Sequence, residues 1–513
     1  MYATLAGAGH LLATWDWIII ALYGLGMVWV GVYYSRKTNS SEDYLLGGRD
    51  MKPSAVGLSL FATLFSTITY LSIPGEMMRF GPIVLAGLLA YPLIYYISGW
   101  LLIPVFMRLN VTSCYELLEI RLGKVVRIVG VLIFISLRLL WMAVVVYATS
   151  DVVLVPLAGL NPSATPWVCA ALALVTIAYT SMGGLRAVVV TDVIQTLLLF
   201  AGAVISLVLV TWSLGGVSAW WPKQWHASWG EVRWVYDPSG QRSVLGAFVA
   251  VLVWYVCTAG SDQVAIQRYL ATRDAAAARR VMGVSLIAGL LVQVLLACLG
   301  MALFTYFAAD PARLPAGETL RGAADKLFPS FIVSGLPVGL SGLVIAGLLA
   351  AAMSSLSSGI SALCSVIATD LLGQARDAEA GPSQAVRRDR IISVLIGLTV
   401  VVISMGVGFI EGNLLDLAYK VVNLFVVPLF GLFFMAIFIR WATAFGTLVG
   451  VVGGLGVIVP LNYWRELTGG DDPPIGFLWA MPLGLVVQVV VGIAASLLPV
   501  GETRPMIPRD TSR

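Results

Sequence analysis

The sequence predicts an all-α polytopic membrane protein of about thirteen transmembrane helices, and three features carry that expectation. Of 513 residues, 59% are hydrophobic and only 11% are charged. Apolar runs of roughly 20 residues, the length needed to cross a hydrocarbon core about 30 Å thick, recur along most of the chain. The connections between them alternate between rich and poor in Lys and Arg. Membrane-spanning strands would be shorter and would alternate in polarity, so helices are the expected element.

Spans are expected at 14–34, 54–73, 83–106, 126–157, 164–183, 188–213, 242–266, 281–308, 338–367, 391–411, 414–438, 441–463 and 474–498. The first is too long for a removable signal peptide and lacks a small-residue cleavage site. No soluble domain fits between the spans. The longer connections, near 214–241 and 309–337, carry polar Pro-Gly stretches such as DPSGQ and DPARLPAGE. A solvated loop is expected at 371–390, and the polar tail after Val500 is expected to be mobile. Five scattered cysteines without CxxC pairing indicate neither a disulfide framework nor a metal cluster.

Arg36, Lys37, Arg108, Arg268, Arg273, Arg279, Arg280, Arg387, Arg388 and Arg390 fall in connections on one side, which the positive-inside rule makes cytoplasmic. An odd number of spans then puts the N-terminus outside and the C-terminus inside. The net charge of +4 is a topology signal in this setting and gives no reason to expect a nucleic-acid partner. The expected surroundings are a lipid bilayer, as for an integral protein of a plasma or bacterial inner membrane.

Two spans are interrupted. GLSLFATLFSTITYLS (57–72) runs into IPGEMMRFGP, and VWYVCTAGSDQ (253–263) sets Thr-Ala-Gly-Ser where a helix should continue. Carbonyls freed by unwinding are tolerated at membrane depth only where they line a cavity or bind an ion. The breaks fall five spans apart, the arrangement of an inverted-repeat transporter whose site lies at the midplane.

The stretch AAMSSLSSGISA (351–362) puts five hydroxyls inside an apolar helix. At 100° per residue, Ser354, Ser357, Ser358 and Ser361 share one stripe bordered by Ala351 and Ser355. Oxygens without fixed charge suit a monovalent cation that must bind and leave again. A helix packed through small residues would read the same way, so the stripe alone leaves both readings open. Asp192 lies more than one turn inside its span, where a carboxylate is costly unless it serves an ion or is paired; Arg186 is the partner available nearby. Arg138, in the middle of span four, is too deep to reach an interface comfortably and is either bound to a structural carboxylate or offered to an anionic solute. Lys420, nearer a span end, reads as structural.

In combination, GLSLFATLFSTITYLSIPGE, TSCYELLEIRLG, YTSMGGLRAVVVTDVIQ, SDQVAIQRYLATRD and AAMSSLSSGISA resemble the sodium/solute symporter family over essentially the whole chain. The resemblance implies a LeuT-like 5+5 inverted-repeat core. Its parts would be an extra N-terminal helix at 14–34, a first repeat at 54–213, a second at 242–438 and two C-terminal helices at 441–498. It implies transport of a small organic solute (a sugar, sialic acid or carboxylate) driven by sodium ions (Na+). The family's main sodium site falls on carbonyls of Ala62, Phe65 and Ala351 and hydroxyls of Ser354 and Ser355. A second, found in some members, falls on Asp192, Ser354, Ser357 and Ser358. Pocket positions of the family fall on Thr63, Ser66, Thr69 and Thr258, with Arg138 a possible anion anchor. The Tyr-Trp pair of sugar carriers falls on Thr258 and Ala259, the carboxylate-binding arginine of sialic acid carriers on Trp141 and a pocket glutamine on Leu88. The chain carries no HExxH, no GxSxG and no histidine inside a span, so an enzyme is not expected. A solute sensor of the same fold is the alternative to a transporter.

Overall fold

The computed structural model describes residues 12–109, 111–226, 229–235, 243–314, 319–373, 381–408, 414–470 and 475–500. Among them the regular structure is helical, with no strand. The helices used below are α1 (Thr14–Ser35), α2 (Pro53–Leu64), α3 (Thr67–Phe80), α4 (Lys124–Ala148), α5 (Thr165–Ser213), α6 (Val244–Ser261), α7 (Gln263–Leu270), α8 (Ala275–Ala309), α9 (Leu340–Val366), α10 (Pro382–Val407), α11 (Leu414–Phe438), α12 (Ala444–Asn462) and α13 (Ala480–Ser496).

Ten helical stretches are long and apolar enough to cross a membrane, against thirteen expected spans. The difference has local causes. The stretch Pro162–Ser213 carries two expected crossings joined through a kink, and Thr67–Arg108 carries one together with the end of the span at 54–73. The kinks are at Gly81 (φ 69°, ψ −159°) and Gly184 (φ 60°, ψ −161°), backbone that only glycine adopts readily. α2 and α13 are shorter apolar helices. The DPSGQ stretch, much of DPARLPAGE, the middle of the 371–390 connection and the tail after Val500 lie outside the described residues.

Both interrupted spans are broken. Phe65 (φ −102°, ψ 103°) leaves α2 in extended conformation, and Ser66 then caps α3, its hydroxyl accepting from the Thr69 amide at 3.3 Å. Asp262 (φ −89°, ψ 118°) separates α6 from α7 and caps α7, accepting from the Val264 amide at 2.9 Å. The second break thus comes one residue after the Thr-Ala-Gly-Ser run: α6 keeps its ladder through Ser261, and the Asp262 amide still donates to the Thr258 carbonyl.

α9 is the axis of the molecule. Every residue from Val344 to Val366 is buried, which a helix manages only when small residues let neighbours approach. α5, α4, α2, α10 and α1 pack around it. Hydroxyls tie the layers: Thr67 donates to the Leu348 carbonyl at 2.9 Å and Tyr179 to that of Met353 at 3.1 Å. Asp16 of α1 accepts from the amides of Gly339 and Gly342 at 2.8 and 2.7 Å, anchoring the N-terminal helix to the start of α9, where the helix dipole favours an anion. At the opposite kind of terminus, Arg121 donates to the carbonyls of Ala436 and Ile439 at the end of α11.

A Cβ on Gly184 would lie 2.7 Å from the Tyr44 carbonyl oxygen. Gly184→Ala is expected to destabilise the fold by about 1–3 kcal/mol through this clash and the forced backbone. In detergent the variant should melt at a lower temperature, whereas Gly26→Ala, which meets nothing within 4 Å, should melt like the parent.

Candidate cation and solute site

The α2–α3 break brings α2's last carbonyls against the serine stripe of α9. Ser354 Oγ lies 2.7 Å from the Ala62 carbonyl oxygen and 3.2 Å from that of Ala351. Ser355 Oγ lies 3.4 Å from the Thr63 carbonyl. Four of the five oxygens of the expected main sodium site therefore come from two segments in direct contact, with Ala62, Ser354 and Ala351 linked into one cluster. Phe65 occupies the break itself, where its extended backbone turns the carbonyl out of the helical ladder. All these residues are buried, and uncharged oxygens are the donors a hard alkali cation takes. The set fits Na+.

One turn further along α9 is a charged cluster. Asp192 Oδ2 accepts from Ser59 Oγ at 2.5 Å and Ser358 Oγ at 3.3 Å. Ser358 Oγ is 2.6 Å from Thr63 Oγ1. Asp192 Oδ1 is buried and accepts no hydrogen bond among the described residues. The expected partner Arg186 is elsewhere, donating to the Gly47 carbonyl at 2.9 Å and pairing with Asp43 at 3.8 Å. The cation facing Asp192 is Arg268 of α7, 3.7 Å away, and both side chains are 0% exposed. Arg268 also donates to Ser358 Oγ, to Gln267 Oε1 at 3.1 Å and to the Val264 carbonyl at 3.2 Å. Counting Arg268 as a cytoplasmic loop residue is thus corrected, since the helix after the break carries it into the core. Ser357 Oγ is bonded to the Ser354 carbonyl at 3.1 Å. Ser361 completes the stripe, its hydroxyl accepting from Gln267 at 3.3 Å.

The residues expected around a solute divide. Thr63 is committed to Ser358 and so belongs with the cation cluster. Ser66 caps α3 and faces Thr69 Oγ1 at 3.3 Å, with Thr69 half-buried. Thr258, one turn before the second break, keeps a buried Oγ1 with no partner among the described residues. Arg138 is 8% exposed and holds Asp262 with two nitrogens, Nε donating at 3.2 Å and Nη2 pairing with the other oxygen. Its fork is occupied by the carboxylate that caps α7. Lys420 pairs with Glu466, in keeping with a structural role.

Uncharged oxygens from a broken helix and from a serine stripe, with a second broken helix packed beside them, are an arrangement suited to an ion-coupled transporter, and the sequence agrees. The profile of the sodium:solute symporter family matches residues 44–454. The chain belongs to the sodium:solute symporter family. Among curated relatives of this symporter, the sodium/sialic acid symporter SiaT of Proteus mirabilis is 29% identical over 469 residues, 88% of this chain and 90% of the relative. The sodium-coupled monocarboxylate transporter 1 of Xenopus laevis is 30% identical over 463 residues, 86% and 71% of the two chains. The solved structure of a Na+-coupled sialic acid symporter in a substrate-bound outward-open state superimposes with a TM-score of 0.82 at 25% identity, covering 96% of this chain and 100% of that one.

Ser59, Arg268 and Gln267 are the members of the symporter's cluster that sequence reasoning missed. Ser59 is one α2 turn before Thr63, a spacing that puts both hydroxyls on one face, and this was the available signal. Removing one partner of a buried ion pair leaves the other uncompensated, at a cost of about 3–5 kcal/mol. Asp192→Asn and Arg268→Gln should each lower the melting temperature in sodium-free detergent, and the double variant should lose clearly less than the two losses added. Strict additivity would show the two groups do not sense each other.

Proposed function

We propose that this symporter uses the inward movement of Na+ to import a small organic solute by alternating access, with a main sodium site formed by Ala62, Phe65, Ala351, Ser354 and Ser355. The supporting observation is the 2.7 Å contact between Ser354 Oγ and the Ala62 carbonyl. A cation shared by these oxygens ties α2 to α9 and stabilises whichever conformation brings them together. It shifts the population only by its difference in affinity between conformations. Membrane potential adds about 2.3 kcal/mol per charge per 100 mV to the work available. The relevant orientation has the N-terminus outside, the C-terminus and the basic connections cytoplasmic, thirteen crossings, and five-helix repeats at 54–213 and 242–438.

A second Na+ at Asp192, Ser354, Ser357 and Ser358 is supported by the unpartnered Asp192 Oδ1. Arg268 already supplies one positive charge there, so the ion enters as the guanidinium withdraws toward Gln267 and the Val264 carbonyl. Solute hydroxyls or carboxylate meet Ser66, Thr69 and Thr258 at the two breaks. The substrate class is that of the relatives, sialic acids and monocarboxylates. With Arg138 held by Asp262, its part is to fix the second break, and a carboxylate that binds Arg138 must first displace Asp262.

Uptake of radiolabelled sialic acid and of short monocarboxylates into proteoliposomes tests this reading. An inward NaCl gradient should drive accumulation that an equal KCl gradient does not, and equal uptake in both salts would contradict it. Ser354→Ala should raise the sodium concentration for half-maximal uptake at least about tenfold, equivalent to about 1.4 kcal/mol. Asp192→Ala should reduce the steepness of the sodium dependence; an unchanged slope would leave a single coupled ion. Arg268→Gln should be stabilised against heat by NaCl more than the parent is, because sodium then supplies the missing charge.

A further inference from the structure

At the start of α10, on the basic side, Arg387 and Arg390 stand above a lipid-exposed apolar stripe. Ile391 is 51% exposed, Leu395 58%, Leu398 43% and Val402 70%. At 100° per residue these four and Arg387 lie within a band roughly 80° wide on one face. From Ile391 to Val402 the stripe is about 16 Å long at 1.5 Å per residue, close to half of a hydrocarbon core about 30 Å thick. An open groove of about 240 Å³ runs along its head, lined by Arg387, Arg390, Ile391, Val394 and Leu395.

Among the described residues, no acid pairs with Arg387 or Arg390 at the head of this groove. Asp389 is directed inward, with Oδ1 taking Arg388 at 2.9 Å and Oδ2 accepting from Ser41 at 2.6 Å. Glu42 pairs with Arg49 at 2.8 Å and Asp43 with Arg186. Arg390 is fixed across the gap to α1 by a 3.1 Å bond from Nη2 to the Ser35 carbonyl, and its Nε is buried with no acceptor among the described residues. Just after the end of α1, Arg36 and Lys37 are exposed. A buried donor without an acceptor is costly, so an oxygen-rich anion from outside the chain would be stabilised here. The apolar stripe below requires the same molecule to carry an acyl chain of one-leaflet length.

We propose that this face is a binding site for an anionic phospholipid, with its phosphate against Arg387 and Arg390 and one acyl chain along Ile391, Leu395, Leu398 and Val402. Basic recesses on the cytoplasmic side of membrane helices recognise anionic headgroups by this combination of charge and burial. The acyl stripe selects a lipid over free phosphate, and the charge selects phosphatidylglycerol over phosphatidylcholine.

The test is native mass spectrometry and thermal melting of the purified full chain in a neutral detergent. Dioleoylphosphatidylglycerol, dioleoylphosphatidylcholine or inorganic phosphate is added. The parent should retain one phosphatidylglycerol and melt higher with it, and should respond to neither of the other two. Arg387→Gln/Arg390→Gln should weaken phosphatidylglycerol retention about tenfold. Arg387→Gln alone changes an exposed side chain and serves if the double variant does not fold; it should weaken retention at least about threefold. Leu395→Asp, which puts a charge in the acyl path, should do the same. Equal retention of phosphatidylcholine, an equal effect of phosphate, or undiminished phosphatidylglycerol binding by Arg387→Gln and Leu395→Asp would overturn the proposal.

Discussion

The contact between the Ala62 carbonyl and the Ser354 hydroxyl is the constraint on which the rest of the architecture depends. It exists only because α2 stops at Leu64 with its last carbonyls unspent and because α9 offers a hydroxyl where an apolar side chain would ordinarily sit. In hydrocarbon an unsatisfied backbone group costs several kcal/mol. A broken helix is therefore stable only where another element supplies polar atoms to it, and α9 is that element. Its burial from Val344 to Val366 and its run of Ala, Gly and Ser allow α2, α5 and α7 to approach closely enough to do so.

The buried charges follow the same rule. Asp192 with Arg268 and Asp262 with Arg138 are the two deep acid–base pairs beside the helix breaks, and each joins one of the broken spans to a different helix. Asp262 performs two tasks: it caps α7 and it holds Arg138. Arg268 performs two as well, neutralising Asp192 and bonding to Ser358 of the serine stripe. The serine stripe, helix breakage and charge pairing thus share atoms, so a change in one is felt by the others. In the proposed function, coupling of solute to sodium rests on that sharing rather than on a long pathway between distant sites.

Much of this was legible in the sequence because it is written in local composition. The apolar runs, the first break and the serine stripe were readable from residues that are neighbours in the chain. What failed was pairing across the fold. Arg186 is six residues before Asp192, which puts the two about 120° apart on a helix, and the pairing goes instead to Arg268, far along the chain. Arg268 resembled a loop residue because a charge near the end of an apolar run ordinarily marks the interface. The second break was expected at Thr-Ala-Gly-Ser, where small residues permit unwinding, yet the helix unwinds at Asp262, where a side chain actively caps the next segment. The kinks at Gly81 and Gly184, by contrast, fall between expected spans, 54–73 and 83–106 in one case and 164–183 and 188–213 in the other.

The most direct measurement is a high-resolution structure of the protein in saturating NaCl beside one in KCl. In sodium, density for an ion should stand between the Ala62 carbonyl and the Ser354 and Ser355 hydroxyls, with Ser354 Oγ rotated to direct a lone pair at it. The direct hydroxyl-to-carbonyl hydrogen bond should persist only in potassium. The same Ser354–Ala62 hydrogen bond in both salts, with no density between these oxygens, would contradict the account.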